Sequence, residues 1–251
     1  MVGSCFGAVL LDCRYVRYST SAAGALEFLS SVKFFKRHWQ LVLMTAVVFA
    51  CWGLPVVYPL KLLVVFLHEA SHAVAALVTG GEVLELGLSP QEGGHVVSKG
   101  GNGFLIASAG YLGSLLFGVA IFMSAVRTKW DQVTMVVLGV FIISISVLYA
   151  KETFAWAFGL MVGGTMLLAA KFLGKKINDF LLRLIGLVSM IYVPWDIFSD
   201  TLARSELRSD ARIIAEMYGG TTMMWGSLWL LLSLCVIWWC LKVSLRRKSN
   251  I

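Results

Sequence analysis

Apolar side chains in this chain are arranged in long continuous runs, with no short repeating period. From residue 41 onward the runs are 41–60, 62–79, 104–125, 133–150, 154–170, 180–200 and 225–241, and polar residues fall mainly in the gaps. About 20 residues of helix cover the ~30 Å hydrocarbon core of a bilayer. No water is present there to satisfy backbone N–H and C=O groups, so an uninterrupted apolar run must close its own hydrogen bonds as a helix. The pattern predicts an all-α fold: a polytopic membrane helix bundle of about six or seven transmembrane helices, integral to the membrane and multi-pass. Two runs are less regular. The one at 154–170 is short, and the one at 180–200 carries Arg183, Asp196 and Asp200.

Three segments fall outside the runs. Residues 1–40 are expected to form a polar or amphipathic arm ahead of a membrane domain at 41–251. Residues 81–103, "GEVLELGLSPQEGGHVVSKGGNG", are too polar and Gly-rich to span. Alternation in "EVLELGL" predicts a short strand at 83–88, with Pro90 and Gly93–Gly94 turning the chain; such a strand could pair with an extended peptide by strand addition. Residues 200–224 place Arg and acidic residues three and four apart and predict an amphipathic interfacial helix ending near Gly219–Gly220.

Composition supports the membrane reading. The 251 residues are 59% hydrophobic and 14% charged, with a mean hydropathy of +0.82, whereas a soluble domain is typically about a quarter charged. The net charge of +7 therefore belongs to loops and anionic lipid, and nucleic acid is not an expected partner. Lys and Arg outside the spans divide almost evenly between the two sides if there are seven crossings. If one run is re-entrant, six crossings remain and both basic ends lie on one side. The five Cys include no CxxC pair and are expected as packed thiols. Gly110, Gly113, Ser114 and Gly118 form a small-residue stripe suited to close helix packing.

One run contains the costliest residues to bury. "VVFLHEASHAVAALVTG" places His68, Glu69 and His72 inside an apolar helix. Each ionisable group at the bilayer centre costs ~2–3 kcal/mol, so three together require a compensating partner. The spacing is HExxH. Residues i and i+4 share a helix face, so both imidazoles can reach one metal while Glu69 addresses a water there. Zinc suits imidazole ligands and lowers the pKa of its water to about 7. Glu69 would take that water's proton and pass it to a leaving amine. A third protein ligand is needed. The metzincin pattern would place a histidine where Val78 stands. The remaining candidates are Glu92 and His95 in the following loop, and Asp196 and Asp200 in "IYVPWDIFSD", four apart on one helical face beside Pro194. Asp196, deeper in its apolar run, is the expected ligand and Asp200 the alternative.

Three blocks resemble the site-2 protease family of intramembrane zinc metalloproteases, in its B-like branch. They are "LVVFLHEASHAVA", "EGGHVVSKGGNGFLIASAGYLGSLLFG" and "VPWDIFSDTLARSELRSDARIIAEMYGG...WGSLW", together covering about residues 55–235. The resemblance implies a multi-helix core, His68 and His72 as zinc ligands, Glu69 as catalytic base, an aspartate of the third block as third ligand, and a transmembrane protein as substrate. The chain departs from the pattern at Ile197, where better-studied members have Gly after the aspartate. It also departs at His95, where the branch usually has Thr, and at Ser108, where it usually has Pro. Two other readings are a metal-binding pseudoprotease or membrane chaperone, and a transporter with an intramembrane His–Asp path. An intact Glu69 argues against the first, and the lack of an inverted internal repeat argues against the second.

Overall fold

The computed structural model describes residues 32–203 and 208–246. The fold is all-α apart from one hairpin. Helix α1 covers 32–50, and α2 is Tyr58–Val78. Strands β1 (Glu82–Ser89) and β2 (Gly93–Lys99) follow. Then come α3 (Gly103–Arg127), α4 (Asp131–Tyr149), α5 (Thr153–Phe172) and α6 (Lys175–Phe198). A π-helical turn at Ser199–Ala203 continues α6. Helices α7 (Asp210–Tyr218) and α8 (Thr222–Ser244) complete the chain. Among the described residues, 6 helices are long and apolar enough to cross a membrane: α2, α3, α4, α5, α6 with its π turn, and α8.

The first expected run, 41–60, is not one helix. Its first half belongs to α1, which has already begun by residue 32, and the chain turns at 51–57 before α2. The segment "CWGLPVVYP" explains the break. Gly53 weakens the helix, Pro55 offers no N–H to continue it, and Pro59 fits the first turn of the next one. Residues 1–31, most of the expected arm, lie outside the described residues, as do Cys5 and Cys13. Cys51, Cys235 and Cys240 are free thiols. Arg37 Nη2 donates to the carbonyl of Arg246 at 2.6 Å, so the start of α1 and the end of α8 meet at one end of the bundle.

Helix α2 is the centre of the bundle. Phe66, Leu67, Ala70 and Ala73 are fully buried against α3, α6 and the hairpin. Small residues let the helices approach closely. A Cβ on Gly118 would meet Ser189, and one on Gly186 would meet the Gly118 carbonyl at 2.7 Å. Between α4 and α5, a Cβ on Gly139 would lie 2.9 Å from the Gly163 carbonyl. Two of the charges in α6 pair within the helix: Arg183 Nε donates to Asp179 Oδ1 at 2.6 Å, one turn away. Outward faces are apolar. Leu228, Leu231, Leu234 and Trp238 of α8 are exposed, as lipid contact allows, and Lys242 Nζ sits 4.5 Å over the Trp238 ring, a pairing suited to the membrane–water boundary.

The hairpin runs back along α2. Its base is tied to the end of that helix, where Gly81 N–H donates to the Ala76 carbonyl and Asn102 N–H donates to Thr79 Oγ1. Its turn reaches the helix start, where Tyr58 donates to the Pro90 carbonyl and Lys61 Nζ lies 3.5 Å from Glu92 Oε1. Glu92 takes the positive φ of 59° that the turn demands. β1 extends the expected strand by one residue at each end and buries Val83, Leu86 and Leu88. One edge of β1 pairs with β2, and Leu86 bridges to Ala150 on the α4–α5 corner. The expected pairing of 83–88 with a separate peptide thus meets a strand already flanked.

Candidate active site

Helix α2 carries His68, Glu69 and His72 into the interior, with Glu69 only 6% exposed. The two imidazole rings stand 4.9 Å apart, edge to face, as one-turn spacing dictates. His72 Nδ1–H donates to the Ile106 carbonyl of α3 at 2.6 Å. That contact fixes the tautomer and turns the Nε2 lone pair into the site. His68 is wedged edge-on against the buried Tyr111 ring, with centroids 5.0 Å apart.

The carboxylate that meets both histidines is Asp210. Its Oδ2 lies 3.0 Å from His68 Nε2 and 3.2 Å from His72 Nε2. Burial alone would raise the Asp210 carboxyl, but the neighbouring His72 and His68 imidazoles outweigh it and hold the group well below the usual carboxylate range. The local sequence explains this placement. Ser209 caps α7 by accepting from Arg212 N–H, so Asp210 starts the helix. Ala211 and Ile214 are fully buried where α7 packs on α3 and α8, and that docking turns Asp210 inward. On the outer side Arg212 pairs with Glu216.

Asp196 and Asp200 occupy different positions. Asp196 Oδ2 lies 3.9 Å from His68 Nδ1, on the far side of the ring from the point where the two Nε2 atoms converge. Asp200 stands on the π-helical turn and accepts from Tyr111 Oη at 3.1 Å. Glu92 pairs with Lys61, and His95 lies beside Glu85, 3.9 Å away. Among the described residues, it is His68, His72 and Asp210 that bring ligand atoms together beside Glu69. Asp210 was within reach of the sequence, since the third block includes its SDA segment. As read locally, however, a Ser-Asp pair opening a helix is a cap and a dipole partner.

These residues fit a zinc ion. Two imidazole nitrogens and a carboxylate oxygen are a zinc donor set, and tetrahedral bonds of ~2.0–2.1 Å separate ligand atoms by about 3.3 Å, close to the distances above. The backbone leaves matching room: a Cβ on Gly110 would come within 2.5 Å of both Asp210 Oδ2 and His72 Nε2, and closer still to His68 Nε2. Glu69 is accommodated in the same way, since a Cβ on Gly94 of β2 would lie 2.5 Å from its Cγ. The stripe expected to serve packing alone therefore also makes space at the site.

Comparison with curated proteins and with solved structures finds no match. The Peptidase M50B-like family does match, over residues 41–240, which takes in the HExxH helix, the hairpin, Asp210 and the start of the last helix. The site-2 protease resemblance of the three blocks and the six apolar helices agree with it. With most of its length matched, this chain belongs to the Peptidase M50B-like family.

Proposed function

We propose that the protein is an intramembrane zinc metalloprotease that hydrolyses peptide bonds in or near transmembrane segments of membrane proteins. The observation that carries this is the convergence of His68 Nε2, His72 Nε2 and Asp210 Oδ2 beside Glu69. His68, His72 and Asp210 would hold the zinc, which when bound supplies Lewis acidity toward a scissile carbonyl and makes water acidic enough to ionise near neutral pH. Asp210 takes the ligand role expected of Asp196. Asp196 is instead an outer partner that faces His68 Nδ1 and favours the tautomer with a free Nε2.

Glu69 performs the proton chemistry. It accepts a proton from the attacking water as the new C–O bond forms, then donates it to the amide nitrogen as the C–N bond breaks, so the products are a carboxylic acid and an amine. Burial of Glu69 limits the bulk water that would compete for this proton. The His72–Ile106 hydrogen bond and the His68–Tyr111 contact hold the imidazoles in place through both steps. A substrate helix must unwind locally, because its carbonyls are otherwise engaged in the i→i−4 ladder.

Purified wild type and Glu69→Gln, given a single-span membrane substrate, test the reading. Wild type should cleave, and the variant should bind zinc equally while losing roughly 10²–10⁴-fold in rate. Equal cleavage by both would refute the role of Glu69. Zinc in both without cleavage by wild type would favour a pseudoprotease.

A further inference from the structure

Strand β2 has two faces, because successive side chains of a strand point to opposite sides. Gly94 faces Glu69, and His95, the next residue, faces away. Opposite His95 in the ladder is Gly87. A Cβ there would lie 2.7 Å from His95 Nδ1 and 2.9 Å from Nε2, so the missing side chain is what lets the ring lie across β1 toward Glu85. His95 Nε2 is 3.9 Å from Glu85 Oε1. Glu152, the residue that opens α5, completes the group. Glu85, His95 and Glu152 each offer a ligand atom, and all of these lie within 4.8 Å of one another. They come from three separate segments, β1, β2 and the α4–α5 corner.

We infer that Glu85, His95 and Glu152 form a second metal site, distinct from the one on α2, that takes Zn2+ and keeps open positions for water. One imidazole and two carboxylates are a zinc-compatible set. Two carboxylates this close repel each other unless a cation lies between them. The three side chains are partly exposed to exposed, with ligand atoms all within 4.8 Å of one another, so rotation about their side-chain bonds would bring those atoms to bonding geometry. That rotation costs side-chain entropy, so this site fills at higher free zinc than the buried one. A filled site ties the hairpin to the α4–α5 corner, where Leu86 already bridges Ala150. It thereby stiffens the strand whose other face lies against Glu69. The residues involved are separate from those of the proposed catalytic site.

Zinc titration of tag-free full-length chain in detergent, counting bound equivalents per chain, tests this. Wild type should bind two, the second more weakly, and the second should slow hydrogen exchange across β1 and β2. His95→Ala and Glu152→Gln should each lose the weaker equivalent and keep the tighter one. Gly87→Ala changes no ligand, but it should displace the His95 ring and lose the same equivalent. His68→Ala/His72→Ala should keep only the weaker equivalent. A wild type saturating at one equivalent that vanishes in His68→Ala/His72→Ala overturns the second site and leaves the catalytic one standing. A wild type with one equivalent that vanishes instead in His95→Ala overturns the catalytic site and leaves this one. Two equivalents retained by His95→Ala refute the inference outright.

Discussion

A methyl group at position 110 would occupy the point on which His68, His72 and Asp210 converge. Gly110→Ala should therefore lose the tighter zinc equivalent while the helices still form, as read by metal content at limiting free zinc alongside far-ultraviolet circular dichroism. Zinc retained at the wild-type level would show that the metal sits elsewhere. Gly94→Ala should separate binding from chemistry. The three nearest contacts of its Cβ would all be atoms of Glu69, within 2.8 Å, so zinc should stay and turnover should fall roughly 10²-fold or more. Residues at this scale were legible in proportion to how local their spacing is. His68, Glu69 and His72 share one helix turn, so the sequence brings them together unaided. Asp210 reaches His68 from 142 positions away, and what delivers it is the burial of Ala211 and Ile214, a property of how α7 docks. Asp196 looked favourable because it is a carboxylate deep in an apolar run, but depth does not say which nitrogen of an imidazole it will face.

Among the elements, the long helices were legible because hydrocarbon imposes a length on them. The boundary failed at 41–60, where apolarity continues through a turn and only Gly53, Pro55 and Pro59 mark it. The alternation of β1 could be read, but β2 could not. "GGHVVSK" has two glycines and no clear apolar face, and it forms a strand because α2 and β1 give it a surface to lie on. Close helix contacts give a test at this scale. A Cβ on Gly163 would lie 2.7 Å from the Gly139 carbonyl, whereas Gly164 has nothing within 4 Å. A backbone carbonyl cannot swing aside, so Gly163→Ala should destabilise the α4–α5 pair by about 1–3 kcal/mol. Gly164→Ala should be neutral or slightly stabilising, since alanine is the better helix former. Thermal unfolding in detergent compares them, and equal melting temperatures would show that this contact carries no stability.

The bundle as a whole turns apolar faces outward and keeps the polar site of α2 buried. α2 is enclosed by α3, α6 and the hairpin, while α8 presents mostly apolar side chains outward. The bond from Arg37 to the Arg246 carbonyl sets residues 37 and 246 at one end of the bundle, which even charge counts could not decide. Lys36→Cys and Arg246→Cys should therefore react with a membrane-impermeant thiol reagent from the same face of sealed vesicles. Labelling from opposite faces would contradict the bundle. The central claim is that Asp210, with His68 and His72, makes the metal site. Zinc content at limiting free metal tests it most directly in Asp210→Asn and Asp196→Asn prepared side by side. The account predicts that Asp210→Asn loses the metal and Asp196→Asn retains it. Zinc held by Asp210→Asn and lost from Asp196→Asn would contradict it.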